Sequence, residues 1–464
     1  MLIGISEKIF CSHNSPRTCF VDFLNSFTCN HSRQYHTGVC NLTADYENAH
    51  LDIAYLQKDF DKYCITVKRK KVSLKATRNY RQLFHLSFKA YQTNYVKPTQ
   101  ISNKSKKPSC GSFLMLSDEV QLMILKYLDL TSLCCMSQVN RHFNTLTRDS
   151  TLYTCLNVRN VRKADYICDI FCYFKSRCKK LQRLDLTSSA FPVGAFVEFL
   201  KVCSKRLTHL KLNRCFLRHS YIDYDPVFKI ISETCKNLKE LDLEFGCAEI
   251  SNKALLFLKE LEGLEYLNLR GTHTEASVLC KILEKNRRIR ALHINNVKDI
   301  DTVLIELKNF CPDLEILNLH KAHHLTSRGI NALAECRNLR KVDLRFNYAG
   351  DTADNLRRLL SSCQRLEYIY LSHIFLDDFN LKSLTLGKNL KELHFFWVAL
   401  DDERPDQFSI IFERCSKLQK LRFYDCNTSD LWINDWKKRY PHVSMLSTSR
   451  KDGLSSDIIR LFSS

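Results

Sequence analysis

Apolar residues recur through the last two-thirds of this chain in one phrase: apolar-x-x-apolar-x-apolar. It reads Leu181/Leu184/Leu186, Leu207/Leu210/Leu212, Leu238/Leu241/Leu243 and Leu264/Leu267/Leu269. Ile289/Leu292/Ile294, Leu314/Leu317/Leu319, Leu339/Val342/Leu344, Leu366/Ile369/Leu371, Leu390/Leu393/Phe395 and Leu418/Leu421/Phe423 keep the frame. Weaker copies stand at each end, at Tyr153/Leu156/Val158 and Tyr440/Val443/Met445. Successive copies from Leu181 to Leu418 lie 24 to 31 residues apart. The last two apolar positions of each phrase are two apart, so they share one side of a short strand, and the residues beside them face the other way. Between phrases, apolar spacing of i, i+3, i+4, i+7 predicts a helix. Phe196/Phe199/Leu200/Cys203, Leu356/Leu359/Leu360/Cys363 and Phe408/Ile411/Phe412/Cys415 show it.

One strand plus one helix at this period is the leucine-rich-repeat pattern. The expected fold is α/β: a right-handed solenoid, horseshoe-like, of about twelve repeats. A single repeat cannot bury its apolar side, whereas stacked repeats form a continuous core. Cys178, Cys235, Cys311, Cys336, Cys363 and Cys415 each precede the first Leu of a phrase by three residues, and Cys203 by four; Leu261 takes that slot in one repeat. They are predicted to close the apolar stripe of each helix. Neighbouring helices pack about 8–10 Å apart, beyond the reach of a disulfide.

Upstream, residues 113–152 read as a small helical unit. Ser117 is the expected N-cap, with Asp118 and Glu119 in the first turn. Val120, Ile124 and Leu128 share a face, Asp129–Ser132 reads as a turn, and one further helix should bury Leu133, Met136, Val139 and Phe143. The remaining boundaries are an N-terminal basic, weakly structured region at 1–96, a linker at 97–112, the repeats at 153–446 and a tail at 447–464.

The Cys-x-x-Leu-x-x-Leu-x-Leu phrases resemble the cysteine-containing leucine-rich repeats of F-box proteins. Leu116, Glu119, Ile124, Leu128, Leu130, Leu133, Val139 and Phe143, followed by Leu152-Tyr153, resemble the F-box itself. The usual Leu-Pro opening is Leu116-Ser117 here, and Phe143 stands for the usual Trp. The resemblance implies docking onto the Skp adaptor of an SCF-type ubiquitin ligase, and through it onto cullin and RING subunits. Leu116, Val120, Ile124, Leu128, Leu130, Leu133, Val139 and Phe143 would be the adaptor contacts. The concave repeat face would recruit an unknown protein substrate for ubiquitination and proteasomal degradation. A repeat scaffold that binds protein without joining a ligase is the alternative. Phe196 to Cys203 and the repeat layout are similar to a mitochondria-associated member of that family.

Strand alternation selects the outward residues. Tyr368, Tyr370, His394, Phe396, Arg422 and Tyr424, on three adjacent strands, are expected to form an exposed substrate-binding patch, since aromatics with Arg make strong interface anchors. Glu240, Asp242 and Glu244 on one strand are expected to be a solvated face.

Composition alters this picture little. The net charge is +20, and residues 1–110 supply half of it, with 17 Lys+Arg against 7 Asp+Glu. Nucleic-acid binding through that basic region is the weaker alternative. No run reaches the length of a membrane span, and the N-terminus is too short for a secretory signal. A cytoplasmic or nuclear protein is expected, with mitochondrial association as the alternative. With 11 Gly and no phosphate-cradling loop, nucleophile elbow or His-Glu-x-x-His, no catalytic residue, metal or cofactor is expected.

Overall fold

The computed structural model describes residues 116–448, apart from 162–163, 216–222, 245–249, 323, 347–351 and 401–404. The N-terminal region, the linker and the tail beyond residue 448 lie outside the described residues. The chain divides into two compact units, one ending at Leu152 and the other beginning at Tyr153.

The first unit holds three short helices, Asp118–Leu125, Leu130–Met136 and Arg141–Leu146. Ser117 occupies the first N-cap, but its side chain makes no capping bond. The two later starts are capped by side chains: Asp129 accepts from the Ser132 N–H at 2.7 Å, and Asn140 from the Phe143 N–H at 2.9 Å. Asn140 explains why the single second helix expected from the pattern is two. An Asn cap starts a new helix by occupying an orphan N–H. Leu125, Leu133, Met136, Phe143 and Leu146 form the buried centre. Gln121, also buried, bridges the Leu116 carbonyl (2.7 Å) and His142 (2.9 Å).

The second unit is built on a twelve-stranded, all-parallel sheet in sequence order. Its strands are β1 Cys155–Asn157, β2 Arg183–Asp185, β3 His209–Lys211, β4 Glu240–Asp242, β5 Tyr266–Asn268, β6 Ala291–His293, β7 Ile316–Asn318, β8 Lys341–Asp343, β9 Tyr368–Ser372, β11 Glu392–Phe396, β13 Lys420–Tyr424 and β14 Ser444–Thr448. A second pair, β10 Phe375–Leu376 and β12 Ala399–Leu400, runs beside the last repeats. The paired apolar positions lie in register from repeat to repeat, Leu184 with Leu210, Leu241, Leu267, Leu292, Leu317 and Val342. All of these are at most 1 % exposed. Consecutive helices pack on the other side of this core. Gly329 is required by the packing: a Cβ there would collide with the Asp301 carboxylate of the preceding helix, which accepts from the Thr326 backbone N–H at 3.1 Å. Trp436 closes the C-terminal end, fully buried and 4.8 Å from the Phe408 ring.

The cysteine column is buried as the spacing predicts, and it has a second role. The Cys203 thiol lies 3.5 Å from the Lys175 carbonyl, Cys363 3.5 Å from that of Leu333, and Cys415 3.7 Å from that of Leu384. Each is a carbonyl at the end of the helix one repeat earlier; those of Leu333 and Leu384 also accept from the N–H three residues on, at 2.9 and 3.1 Å. Asn286 fills the slot in one repeat and donates to the Leu258 carbonyl at 3.1 Å. Burial pushes these thiols up, Cys203, Cys235 and Cys363 to about 12, so they are packing groups with no thiolate character at neutral pH.

Stacking parallel helices aligns their dipoles, positive at the strand-to-helix edge and negative at the helix-to-strand edge. The sequence compensates at both. Asp165, Asp225, Asp354, Asp378 and Asp430 sit in first turns. The turns that follow the helices carry Lys179, Lys180, Lys205, Arg206, Lys236, Arg287, Arg288, Arg337, Arg365, Lys388 and Lys417, against Glu262 and Asp313. Every one of these turn residues is exposed. Among the described residues no helix is long and apolar enough to cross a membrane.

Candidate functional site

The strand face opposite the helices carries two side-chain columns. The first, between the paired apolar positions, runs Asp185, Lys211, Asp242, Asn268, His293, Asn318, Asp343, Tyr370, His394 and Arg422, each paired in register with the next. The second follows two residues later: Thr187, Asn213, Glu244, Arg270, Asn295, His320, Arg345, Ser372, Phe396 and Tyr424. Parallel strands are about 4.8 Å apart, so each long side chain in a column is walled by its neighbours.

This crowding overturns two expectations. Asp242 and Glu244 are not a solvated face; both are buried, and burial raises both carboxyls above their ordinary range. Glu244 meets Arg270 at 3.1 Å, and Arg270 reaches His320 at 3.5 Å. Nor are the aromatics an open patch. Tyr370, His394, Phe396 and Tyr424 are at most 7 % exposed. Tyr370 stacks on His394 at 4.4 Å and Phe396 on Tyr424 at 4.4 Å. Arg345 lies 4.8 Å from the Phe396 ring centre while holding Asp343 through bonds of 2.9 and 2.6 Å. Only Tyr368 and Arg422 of the six remain half-exposed. Alanine at Tyr370, Phe396 and Tyr424 together would therefore remove packing as well as any contact surface.

Further aromatic side chains, half-buried at Phe346 and Trp397 and exposed at His373, lie one residue further on. In nearly every repeat the residue ending the second column is followed by one with left-handed backbone: Ser188 (φ 59°), Gly271 (82°), Asn296 (51°), Lys321 (63°), Phe346 (58°), His373 (56°) and Trp397 (50°). Glycine or asparagine takes this conformation at little cost. Phe, His and Trp do not, and strain of this kind gathers at functional sites. Phe346 packs 4.7 Å from Trp397, His373 5.5 Å from Trp397, and the Lys321 ammonium 5.4 Å from the Phe346 ring. Phe375 (53 % exposed) and Phe379 (45 %) continue the rim. Strand alternation does not select these residues because they lie past the strand. The legible signal was the placing of aromatic residues at a position that elsewhere holds Asn, Ser, Arg, Gly, Lys or Asp.

In the helical unit, the expected adaptor contacts fall into two sets. Leu116, Val120, Ile124, Leu128, Leu130 and Val139 are half-exposed, while Leu133 (2 %) and Phe143 (7 %) belong to the unit's own core. Leu133 and Phe143 are packing residues and not surface contacts, because both side chains are buried. Met123 (55 % exposed) and Tyr127 (50 %) are the large apolar side chains turned to the surface, and the stripe at Val120, Ile124 and Leu128 does not include them.

Residues 118–159 match the F-box-like family. Over 264 residues, 53% of this chain, the sequence is 29% identical to F-box/LRR-repeat protein 4 of Bos taurus; the match spans 41% of that protein's length. Among solved structures, an internalin of Listeria monocytogenes matches at 17% identity and a TM-score of 0.41, covering 65% of this chain and 82% of that one.

Proposed function

We propose, for a chain that joins an F-box-like segment to a leucine-rich-repeat solenoid and so has the F-box/LRR architecture, that it is the substrate-recognition subunit of an SCF-type ubiquitin ligase. The helical unit docks a Skp-type adaptor, which links to cullin and RING subunits. The repeat unit holds the protein to be ubiquitinated, and the chain itself does no chemistry. The observation that carries this reading is the F-box-like match at 118–159 placed directly before the repeats. Met123 and Tyr127, both exposed, and the half-exposed Val120, Ile124 and Leu128 supply an apolar face on one helix and its C-terminal turn for an adaptor to cover. Substrate is proposed to contact Phe346, His373 and Trp397, with Tyr368 and Arg422 alongside. A ligase receptor of this kind works in the cytoplasm or nucleus.

The test is co-purification of the full chain with a Skp adaptor and cullin. Burying two large apolar side chains is worth about 3–6 kcal/mol, so Met123→Glu/Tyr127→Glu is expected to weaken adaptor binding at least ~100-fold while far-UV circular dichroism is unchanged. Wild-type recovery by this double variant would remove the assigned docking face. A chain lacking residues 118–146 that still recovers cullin would remove the receptor reading altogether and leave a protein-binding scaffold.

A further inference from the structure

The helix-to-strand edge of the solenoid carries a second charged surface, separate from the strand face. Immediately inside this edge, one residue per repeat alternates in sign: Lys239, Glu265, Arg290, Glu315, Arg340, Glu367, Lys391. Backbone bonds of 2.8 Å link Arg290, Glu315, Arg340, Glu367 and Lys391 in turn and hold their side chains in register. Glu265 meets Lys239 at 2.8 Å; Glu367 meets both Arg340 and Lys391 at 2.7 Å. The carboxylates of this inner row are thus satisfied by its own cations.

The outer row of turn cations is left over. Among the described residues none of Arg287, Arg288, Arg337, Arg365, Lys388 and Lys417 makes an ion pair, and all six are exposed. Three are held in place by neutral groups: Arg287 donates to the Asn309 carbonyl at 3.0 Å, Arg365 to the Asn338 amide oxygen at 2.9 Å, and Lys417 to that of Asn389 at 2.6 Å. An amide orients a cation without cancelling its charge. One cation per turn offsets the helix dipole; the doublets, such as Arg287-Arg288, exceed that need. A cleft of about 580 Å³ opens where Arg365 and Lys417 stand over the inner row.

We propose that this edge is a docking surface for an extended, Asp/Glu-rich segment of another protein. On one side of an extended chain, side chains recur about every 6.6–6.8 Å. Past Asp313, from Arg337 to Lys417, the cations recur once per repeat, between the strand spacing of about 4.8 Å and the helix spacing of about 8–10 Å, so carboxylates and cations stay matched over these four repeats. The turns at 337–338, 364–365, 388–389 and 416–417 hold only Arg, Lys, Asn, Gln and Ser. They offer no ring for base stacking and no apolar wedge for a bilayer, which favours an acidic polypeptide over a single strand or a lipid surface. The partner comes from another protein because this chain's longest acidic run is Asp401-Asp402-Glu403.

Fluorescence anisotropy of a labelled dodecaglutamate peptide against the full chain tests this. Arg365→Glu/Lys388→Glu/Lys417→Glu is expected to weaken binding at least tenfold, and Arg365→Gln/Lys388→Gln/Lys417→Gln severalfold, both with a wild-type thermal melt. Lys229→Glu/Lys281→Glu/Arg357→Glu, the same charge change on the helices, should leave Kd within twofold. Equal weakening by that helix variant, or loss of binding only with loss of folding in both edge variants, would overturn the assignment. So would duplex DNA or phosphatidylserine vesicles displacing the peptide from the edge at lower concentration than free dodecaglutamate does.

Discussion

Asp343→Asn is expected to destabilise the repeat unit by about 3–5 kcal/mol, because it leaves the Arg345 guanidinium in a buried site without its counter-charge. Asp343 and Arg345 are 2 % and 3 % exposed. Burial acts to raise the Asp343 carboxyl, and the adjoining guanidinium with its hydrogen bonds outweighs that, so the group is held below its ordinary range and stays ionised. Arg345 also lies against the Tyr370 and Phe396 rings, so its displacement would loosen the aromatic stack. The double replacement Asp343→Leu/Arg345→Met is expected to recover most of the loss, since removing both charges removes the desolvation penalty as well. Chemical denaturation followed by tryptophan fluorescence reads both. A single variant within about 1 kcal/mol of wild type would show that the pair contributes little.

Stability is also expected to fall steeply as pH drops from about 6.5 to 5. Three histidines on the strand face are buried: His293 and His394 are lowered to about 4 and His320 to about 3, each by burial first. A nearby Arg270 or Arg345 lowers His293 and His320 further, whereas Glu392 partly restores His394. All three are neutral in the folded chain, while the unfolded chain protonates near 6.5. The unfolded state therefore binds more protons across the interval, and stability present above 6.5 is lost as pH falls towards the folded values. For a group shifted from 6.5 to 4 the loss at pH 5 is about 2 kcal/mol. Asp242 and Glu244, raised by burial, act in the opposite sense. Thermal melts at pH 7.5, 6.0 and 5.0 should show the decline, and His394→Gln should flatten it. A melting temperature constant across that range would mean that the histidines are hydrated.

The repeat was legible because its cause is local and reiterated. Leu at two-residue spacing must point one way from a strand, and Cys, three residues before each phrase, must lie at the end of an amphipathic helix. The same reasoning found the side of the strand that Tyr370, His394, Phe396 and Tyr424 occupy. It did not find their burial, since alternation within one strand carries no information about the side chains 4.8 Å away on the next. Likewise Val120, Ile124 and Leu128 were visible as a stripe, but Asn140 divided the helix after them, and the resulting three-helix packing took Leu133 and Phe143 inside.

The sequence by itself determined the solenoid period, the parallel order of its strands, the packing role of the cysteines and the F-box-like segment before them, because each rests on residues within one repeat or one helix pair. Only the tertiary structure decided which polar residues pair across repeats, which aromatics stack in the interior and which stay partly open, at Phe346, His373 and Trp397. Those outcomes depend on residues some 25 positions apart being brought side by side, and stacking strands is what brings them there.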